Sequence, residues 1–319
     1  MNYIKTLKGG SLSTTVVISD GQTKFVRKSI SKNIEREYGL VRWQSQIRKL
    51  QNLNKHFPDS SISILKFGVI NDCFYYDIPF YENSLNCFDA LIAGESVELM
   101  VDKISQLLFK MARIEYGITE GALSVYICEE ILSPLNLAQK LLYQNKLQLS
   151  ENESILFETS LNSAIKKTNY LIGKLDNVKV FESLTHGNLT LENILWDNES
   201  KNLIMIDPYG ETYCETIMGD VSQLLQSSAS GYEYLSALFE NLEIGIDNYP
   251  LKKIPRCLQL FSDLLIDKIR EENWYSEEQL ILLRSSQFTR MFPFKIVNNP
   301  RNAVIFMMHG INLLENLKC

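Results

Sequence analysis

The repeat of apolar residues changes near residue 80, and this change constrains the fold more than any other feature of the sequence. Residues 1–30 alternate apolar or β-branched residues with polar ones around an Asp-Gly pair at 20–21, which indicates a β-hairpin. Residues 33–54 instead repeat apolar residues every three or four positions, which indicates one face of a helix. Residues 61–70 and 73–81 again have the pattern of strands. We therefore predict a small sheet that carries one helix.

Beyond residue 80 the pattern is mostly helical. Amphipathic runs occur at 96–116, 134–147, 153–175, 219–243, 254–271 and 302–317. Two short strand-like segments, around 194–196 and 202–206, interrupt them. A β-rich first part and an α-rich second part predict an α+β protein of two lobes, residues 1–80 and 81–319, with a cleft between them.

Composition excludes several classes of protein. The chain has 319 residues, 45% of them hydrophobic, with a net charge of -6 and a pI near 5.3. An acidic chain lacks the basic face that a nucleic-acid binder uses to displace counterions, so we expect no nucleic-acid partner. No apolar run approaches the roughly 20 residues that span a bilayer, and the N-terminus has no apolar signal-peptide core, so we predict a cytoplasmic protein. The six cysteines are scattered, which indicates neither a zinc site nor a disulfide framework.

A polar turn and a solitary carboxylate follow one another between 186 and 207. Asp207 comes after the apolar run 203–206, so a buried strand is expected to deliver its carboxylate. Asn193 lies five residues after Asn188, and its amide oxygen is a hard ligand of the kind that Mg²⁺ accepts beside a carboxylate and phosphates. Asn193 and Asp207 are therefore the predicted metal ligands. For His186 we expect a structural hydrogen bond in the turn, with acid or base catalysis as the alternative.

A glycine-serine turn and a lysine form a second candidate site near the N-terminus. The turn contains Gly9, Gly10, Ser11 and Ser13. Its backbone N–H groups and hydroxyls can cradle phosphate oxygens, although an ordinary hairpin explains the turn equally well. Val26 and Lys28 share one face of the following strand, so an apolar surface and a cation are predicted to face the same ligand. Arg27, on the opposite face, is predicted to be solvated.

These motifs, in this order, resemble the protein-kinase-like small-molecule phosphotransferases, the group of the aminoglycoside phosphotransferases and choline kinases. The family's catalytic loop reads H-G-D-x-x-x-x-N and is followed some thirteen residues later by I-D-P or D-F-G. Here the loop reads His186-Gly187-Asn188 with Asn193, and Asp207 stands within Ile-Asp-Pro. The resemblance implies a bilobal protein-kinase-like fold that uses ATP and Mg²⁺.

The resemblance also implies roles for residues outside the loop. The turn at 9–13 would cover the nucleotide, Lys28 would bind its α- and β-phosphates, and Pro79 and Phe80 would form the hinge whose backbone holds adenine. Gly219 and Asp220 would begin the helix that in this family carries an acid supporting the catalytic loop. Residues 1–80 would then be the nucleotide-binding lobe, and residues 81–319 the catalytic and substrate-binding lobe.

The sequence departs from the family at two positions. Asn188 stands where the family has the acid that accepts or orients the proton of the substrate hydroxyl. The helix-borne glutamate that in the family pairs with the lysine at the position of Lys28 also cannot be identified. Helical register places Gln46 at its position, whereas Glu35 and Glu37 lie a few turns earlier. An amide or one of these glutamates would hold Lys28.

The function that the resemblance implies is transfer of a phosphoryl group from ATP to a hydroxyl of a small sugar, polyol or amino alcohol. Looser similarity points to surface or capsular polysaccharide metabolism. An amide at 188 predicts a slow or idle enzyme with intact nucleotide binding. Asn188 has three explanations: an engineered Asp to Asn change, a natural enzyme that has its base elsewhere or transfers to an already nucleophilic group, or a pseudokinase that acts as a regulatory or scaffold module. The acceptor, the choice of ATP or GTP and the oligomeric state do not follow from the sequence.

Overall fold

A computed structural model of the protein describes residues 2–7, 13–31, 36–210, 212–233 and 254–317. Its strands and helices, in chain order, are β1 Asn2–Leu7, β2 Thr14–Ser19, β3 Lys24–Ser31, α1 Arg36–His56, β4 Lys66–Ile70, β5 Cys73–Pro79, β6 Ser84–Asn86, α2 Cys87–Ile92, α3 Val97–Ala112, β7 Glu115–Glu120, α4 Ala122–Ile127, α5 Ser133–Tyr143, α6 Glu151–Leu175, β8 Lys179–Ser183, β9 Ile194–Asp197, β10 Leu203–Met205, α7 Ile217–Ser227, α8 Arg256–Ile269, α9 Glu277–Thr289, α10 Phe292–Asn298 and α11 Pro300–Glu315. A π-helical turn, Cys128–Leu132, joins α4 to α5, and a 3-10 turn, Leu191–Asn193, precedes β9.

The chain divides into two compact units. The first comprises Met1–Ala93 and His186–Thr212, and the second comprises Gly94–Thr185 and Tyr213–Cys319. The motif that begins at His186 thus belongs to the same unit as the N-terminal sheet. The two-lobe division at residue 80 stays a prediction.

The first unit contains a five-stranded antiparallel sheet in the order β1-β2-β3-β5-β4. The predicted hairpin is confirmed: β2 and β3 pair on either side of a turn in which Asp20 Oδ1 accepts hydrogen bonds from the backbone N–H groups of Gln22 and Thr23. The segment 61–70 was predicted to be one strand, but only Lys66–Ile70 is; Ser61 makes a single bridge to Met205.

Helix α1 packs against this sheet, as the helical repeat predicted. The buried cluster between them contains Ile47, Leu50, Ile62, Tyr76 and Ile204, with Trp43 and Ile78 packed around it. Since Ile204 lies on β10, the same core also fixes the strand that leads to Asp207. A smaller three-stranded sheet, in the order β10-β9-β6, completes this unit.

The prediction for Arg27 was wrong. Arg27 pairs in register with Asp77 on β5, and its Nε and Nη2 atoms each donate to the Asp77 carboxylate at 2.7 Å. The guanidinium also lies 4.3 Å from the centroid of the Tyr75 ring. The Arg27 side chain is only 13% exposed, because the ion pair and the ring cover a face that the sequence alone presented as open to solvent.

The second unit is mostly helical and contains a two-stranded ribbon of β7 and β8. The run 96–116 was predicted as one helix, but α3 ends at Ala112 and the chain continues as β7. Helix α9 was not predicted, because Ser285, Ser286 and Gln287 are buried within it and interrupt the apolar stripe. The predicted run 219–243 corresponds to α7 up to Ser227, and its last ten residues lie outside the described part. No helix in the described ranges combines the length and the apolar composition that a bilayer crossing requires.

Candidate functional site

The turn that begins with His186 owes its shape to a glycine. Gly187 has a φ of +77°, and a Cβ atom on it would overlap the backbone carbonyl of Tyr209. The His186 carbonyl oxygen in turn accepts a hydrogen bond of 3.0 Å from the Tyr209 backbone N–H. The turn and the residues after Asp207 therefore approach each other at a distance that only glycine permits.

Hydrogen bonds join Asn188, Asn193 and Asp207. Asn193 Nδ2 donates to the Asn188 backbone oxygen at 2.8 Å, and Asn188 Nδ2 donates to the Asp207 backbone oxygen at 3.3 Å. The backbone oxygen of Asn193 accepts from the N–H of Ile206 at 2.9 Å. Asp207 has a φ of +55°, a left-handed conformation that aspartate tolerates better than most residues. The predicted loop and the predicted carboxylate thus lie together at the exit of β10.

Lys28 reaches this site from β3. Its Nζ donates a hydrogen bond to Asp207 Oδ1 and forms an ion pair with it. Gln46 Nε2 donates to the same oxygen at 3.0 Å. The sequence left the partner of Lys28 open between an amide and a glutamate. The structure instead pairs Lys28 with Asp207, and Gln46 contacts this carboxylate. Glu35 and the side chain of Glu37 lie outside the described part.

One face of α1 lies along the segment that follows Asp207. Gln46 Nε2 is 3.3 Å from the Pro208 carbonyl oxygen, and the Arg42 guanidinium lies 5.6 Å from the centroid of the Tyr209 ring. Gly210 faces Ser45 so closely that a Cβ on the glycine would overlap the serine hydroxyl. The helix and this segment therefore hold each other in register.

The electrostatics of the site centre on Asp207. Burial by itself would raise the pKa of this carboxyl group, but the charge and hydrogen bond of Lys28 and the charge of Arg42 outweigh burial and lower it. Burial lowers the pKa of His186 to about 4, against an opposing effect of Asp207. His186 is therefore neutral at physiological pH. Burial also raises the pKa of Tyr76 well above its usual value, with Asp207 adding to the effect.

The other predicted site residues lie on the same sheet where the structure describes them. Val26 pairs with Ile78 and is buried, and Pro79 ends β5. Phe80 is half-buried, with Lys5 Nζ 5.4 Å from its ring centroid. Ser13 is half-buried directly before β2. Three of the turn residues, Gly9, Gly10 and Ser11, lie outside the described residues. Asp220 is buried in α7, in the second unit.

The two predicted metal ligands retain free oxygen atoms. Asp207 uses Oδ1 for Lys28 and Gln46, and Asn193 uses its Nδ2 for Asn188, so Asp207 Oδ2 and Asn193 Oδ1 accept no hydrogen bond from the described residues. No group of three or more acidic, histidine or cysteine side chains that could hold a metal occurs in the described part. One carboxylate and one amide oxygen fit a magnesium ion that takes its remaining ligands from phosphates and water.

Two residues of this site, Arg42 and Tyr76, were not predicted from the sequence. Arg42 lies one helical turn before Gln46, so helical periodicity could have identified it. Tyr76 lies opposite Lys28 in the register of β3 and β5, which the sequence does not reveal.

Comparison with known proteins identifies the fold. No protein-family model and no curated protein sequence matches the chain. Among solved structures, a candidate fructosamine-3-kinase from Haemophilus somnus 129PT superposes with a TM-score of 0.55 at 12% identity, over 97% of this chain and 90% of that one. A glucosamine kinase in complex with glucosamine, ADP and inorganic phosphate gives a TM-score of 0.53 at 10% identity, over 99% and 93%. The GDP complex of the F108L mutant of aminoglycoside 2'-phosphotransferase-IIIa gives 0.54 at 10% identity, over 98% and 89%.

At this level of identity the likeness shows a shared fold. The antiparallel N-terminal sheet, the helical remainder and the near-complete coverage of both chains agree with the α+β class predicted from the sequence. The chain therefore has the fold of the aminoglycoside-phosphotransferase-like small-molecule kinases.

Proposed function

We propose that this protein is a small-molecule kinase that transfers a phosphoryl group from ATP, with Mg²⁺, to a hydroxyl of a sugar, polyol or amino alcohol. The observation that carries the proposal is the convergence of Lys28, Asn188, Asn193 and Asp207 in one hydrogen-bonded site. The fold, which is also that of the phosphotransferases compared above, supports it. In this proposal residues 1–80 bind the nucleotide, and residues 81–319 carry the catalytic loop and the acceptor site.

Each residue has a distinct role in the proposal. Lys28 neutralises charge on the α- and β-phosphates, and Val26 and the backbone at Pro79 and Phe80 hold the adenine ring. Asn193 and Asp207 would hold Mg²⁺, which supplies neutralisation of the charge that develops on the transferred group. His186, neutral and buried, keeps the loop in shape.

Asn188 orients the acceptor in this proposal but cannot take its proton. Its Nδ2 atom donates to the Asp207 carbonyl, so the amide oxygen is left to accept a hydrogen bond from the acceptor hydroxyl. An amide is not a base at neutral pH, so the proton leaves to the phosphate or to solvent. General-base assistance contributes a factor of about 10² to 10⁴, and its loss raises the barrier by about 3 to 5 kcal/mol. We therefore expect slow turnover.

The compared structures indicate which acceptors to test first. One of them holds glucosamine with ADP, one is described as a fructosamine kinase, and one is an aminoglycoside phosphotransferase that holds GDP. Aminated sugars are therefore the first acceptors to test, with both ATP and GTP as donors. A place in surface or capsular polysaccharide metabolism stays a prediction.

The experiment compares nucleotide turnover of the natural chain and the Asn188→Asp variant with a panel of sugars, polyols and amino alcohols. We expect acceptor-dependent ADP formation that rises by roughly 10² to 10⁴ in Asn188→Asp, because a carboxylate restores the base. Asn202→Asp is the matched control, since Asn202 is exposed in the turn between β9 and β10 and should leave turnover unchanged. A phosphorylated product identified by mass spectrometry defines the acceptor.

A second candidate function is a nucleotide-binding module that regulates or scaffolds a partner. The observation that favours it is that Asn188 donates to the Asp207 carbonyl, which a carboxylate at this position could not do. The module would bind nucleotide, yet neither the natural chain nor Asn188→Asp would phosphorylate any acceptor. That result would exclude the kinase proposal.

A further inference from the structure

Among the residues that the structure describes, the candidate site carries more positive than negative charge. Lys28 and Arg42 are the cations that act on the Asp207 carboxylate. Among the described residues at this site, Asp207 is the one carboxylate that these cations face. Before a ligand arrives, the site therefore attracts anions.

Two amides strengthen this bias. Gln46 donates from Nε2 to the Asp207 carboxylate, and Asn188 donates from Nδ2 to the Asp207 backbone oxygen. An acid at either position would add a negative charge and place oxygen against oxygen. As amides, Gln46 and Asn188 instead donate hydrogen bonds to oxygen atoms of Asp207 and add no negative charge. A polyphosphate that enters the site thus meets cations and N–H groups, and it needs no divalent ion to screen a cluster of acids.

The Arg42 guanidinium has N–H groups for which the described residues provide no acceptor. Its guanidinium carries five N–H groups, and it makes no hydrogen bond or ion pair with any described residue. The Tyr209 ring, two residues after Asp207, lies beside the guanidinium and limits the directions that it can take. Arg42 is half-buried, so solvent screens its charge less than that of an exposed arginine. A guanidinium placed in this way suits bidentate binding of a phosphate group.

We propose that this site binds nucleoside di- and triphosphates without a divalent metal, and that Arg42 is a phosphate ligand in the metal-free complex. The inference rests on the proposed function in one respect, that the nucleotide occupies this site. Binding and phosphoryl transfer are then separate: the phosphates are held by Lys28 and Arg42, and the metal is required for the chemical step.

The test measures binding of ADP and ATP to the full chain by isothermal titration calorimetry, once in excess EDTA and once in excess MgCl₂. We expect the two dissociation constants of each nucleotide to differ by less than roughly tenfold. Binding in EDTA should weaken as the ionic strength rises, because salt ions screen the phosphate charges as the nucleotide enters from solvent.

Three variants assign the binding to particular side chains. Arg42→Gln should weaken binding in EDTA by roughly tenfold, since it removes a charge-assisted contact to phosphate. Arg48→Gln is the matched control, because Arg48 is exposed on another face of the same helix and should bind as the natural chain does. Gln46→Glu places an acid beside Asp207, so it should weaken binding in EDTA and make binding depend on Mg²⁺. Circular dichroism melting checks that each variant is folded, and Arg42→Lys replaces Arg42→Gln if the latter unfolds.

The outcomes separate this inference from the proposed function. Binding in MgCl₂ with none in EDTA would overturn the inference and leave the kinase proposal standing. No binding in either buffer would overturn the proposed function. If Arg42→Gln binds nucleotide in EDTA as tightly as Arg48→Gln does, Arg42 is not a phosphate ligand.

Discussion

Replacement of Lys28 by methionine tests how much the Lys28–Asp207 pair contributes to stability. Methionine keeps the length and apolar stem of lysine but removes the charge. The Lys28 side chain is 7% exposed and that of Asp207 is 29% exposed, so the variant leaves a largely buried carboxylate without its main partner. Removal of one partner of a buried pair costs about 3–5 kcal/mol. Because Asp207 keeps some exposure and the Gln46 bond, we expect the lower end, about 3 kcal/mol.

The loss should depend on pH. In the natural chain the pKa of Asp207 is lowered, so its contribution to stability is present above the ordinary aspartate pKa and is lost as pH falls through the folded value. In Lys28→Met, burial should raise this pKa, and protonation then relieves the cost. The difference in stability between the two proteins should therefore be largest near neutral pH and shrink toward about pH 3.

Urea unfolding at several pH values measures both effects. Lys24→Met is the matched control on the same strand, since Lys24 forms an exposed ion pair with Glu82 and should cost at most about 1 kcal/mol. Adding Asp207→Asn to Lys28→Met should recover most of the loss, because the orphaned charge is then gone. If Lys28→Met unfolds at the same urea concentration as Lys24→Met, or if the double variant recovers nothing, the Lys28–Asp207 pair does not stabilise the protein in this way.

Three further predictions concern the loop and the second unit. Gly187→Ala should lower stability and disturb the loop, because its Cβ would overlap the Tyr209 carbonyl. Gly173→Ala is the control: it lies on the exposed face of α6 with nothing within 4 Å, so it should stabilise the protein by about 0.5–1 kcal/mol. Equal effects of the two variants on thermal unfolding would contradict this prediction. His186, with a pKa of about 4, should show no change in its NMR shifts between pH 8 and about pH 5, and a midpoint near its ordinary pKa would show that the ring is not buried. Ser150→Ala removes the capping box at the start of α6 and should cost about 1 kcal/mol in denaturant unfolding; no measurable change would mean that the first turn of α6 frays in the native state.

Local sequence patterns predicted those parts of the fold that short-range chemistry specifies. The hairpin around Asp20 follows from its turn residues, and α1 follows from its apolar repeat. The spacing from His186 to Asp207 indicated a loop and a strand exit, and the structure places both in one site. These features depend on residues close together in the chain, so local sequence patterns predict them.

Helix α9 and the β7–β8 ribbon could not be predicted, because they depend on contacts between residues that are far apart in the chain. In α9 the buried side chains of Ser286 and Gln287 find hydrogen-bond partners on other elements: Ser286 Oγ pairs with the Tyr126 hydroxyl on α4, and Gln287 Nε2 donates to Ser222 Oγ on α7. An apolar repeat cannot report a helix whose buried face is polar. In β7 the apolar side chains of Tyr116 and Ile118 are exposed, so the strand buries no apolar face, and it exists because it pairs with β8 some 60 residues later.

The sequence indicated several side chains of the site: a lysine, a loop with one histidine and two asparagines, and one carboxylate at a strand exit. Their pairing depends on contacts between elements that are far apart in the chain. Lys28 and Asp207 are 179 residues apart in the chain, and the register of β3 with β5, together with the packing of α1 on β10, brings them into contact. The same packing makes Arg42 part of the site and gives Gln46 a carboxylate to bind. Contacts between residues on different elements have no characteristic spacing in the sequence, so they could not be predicted from it.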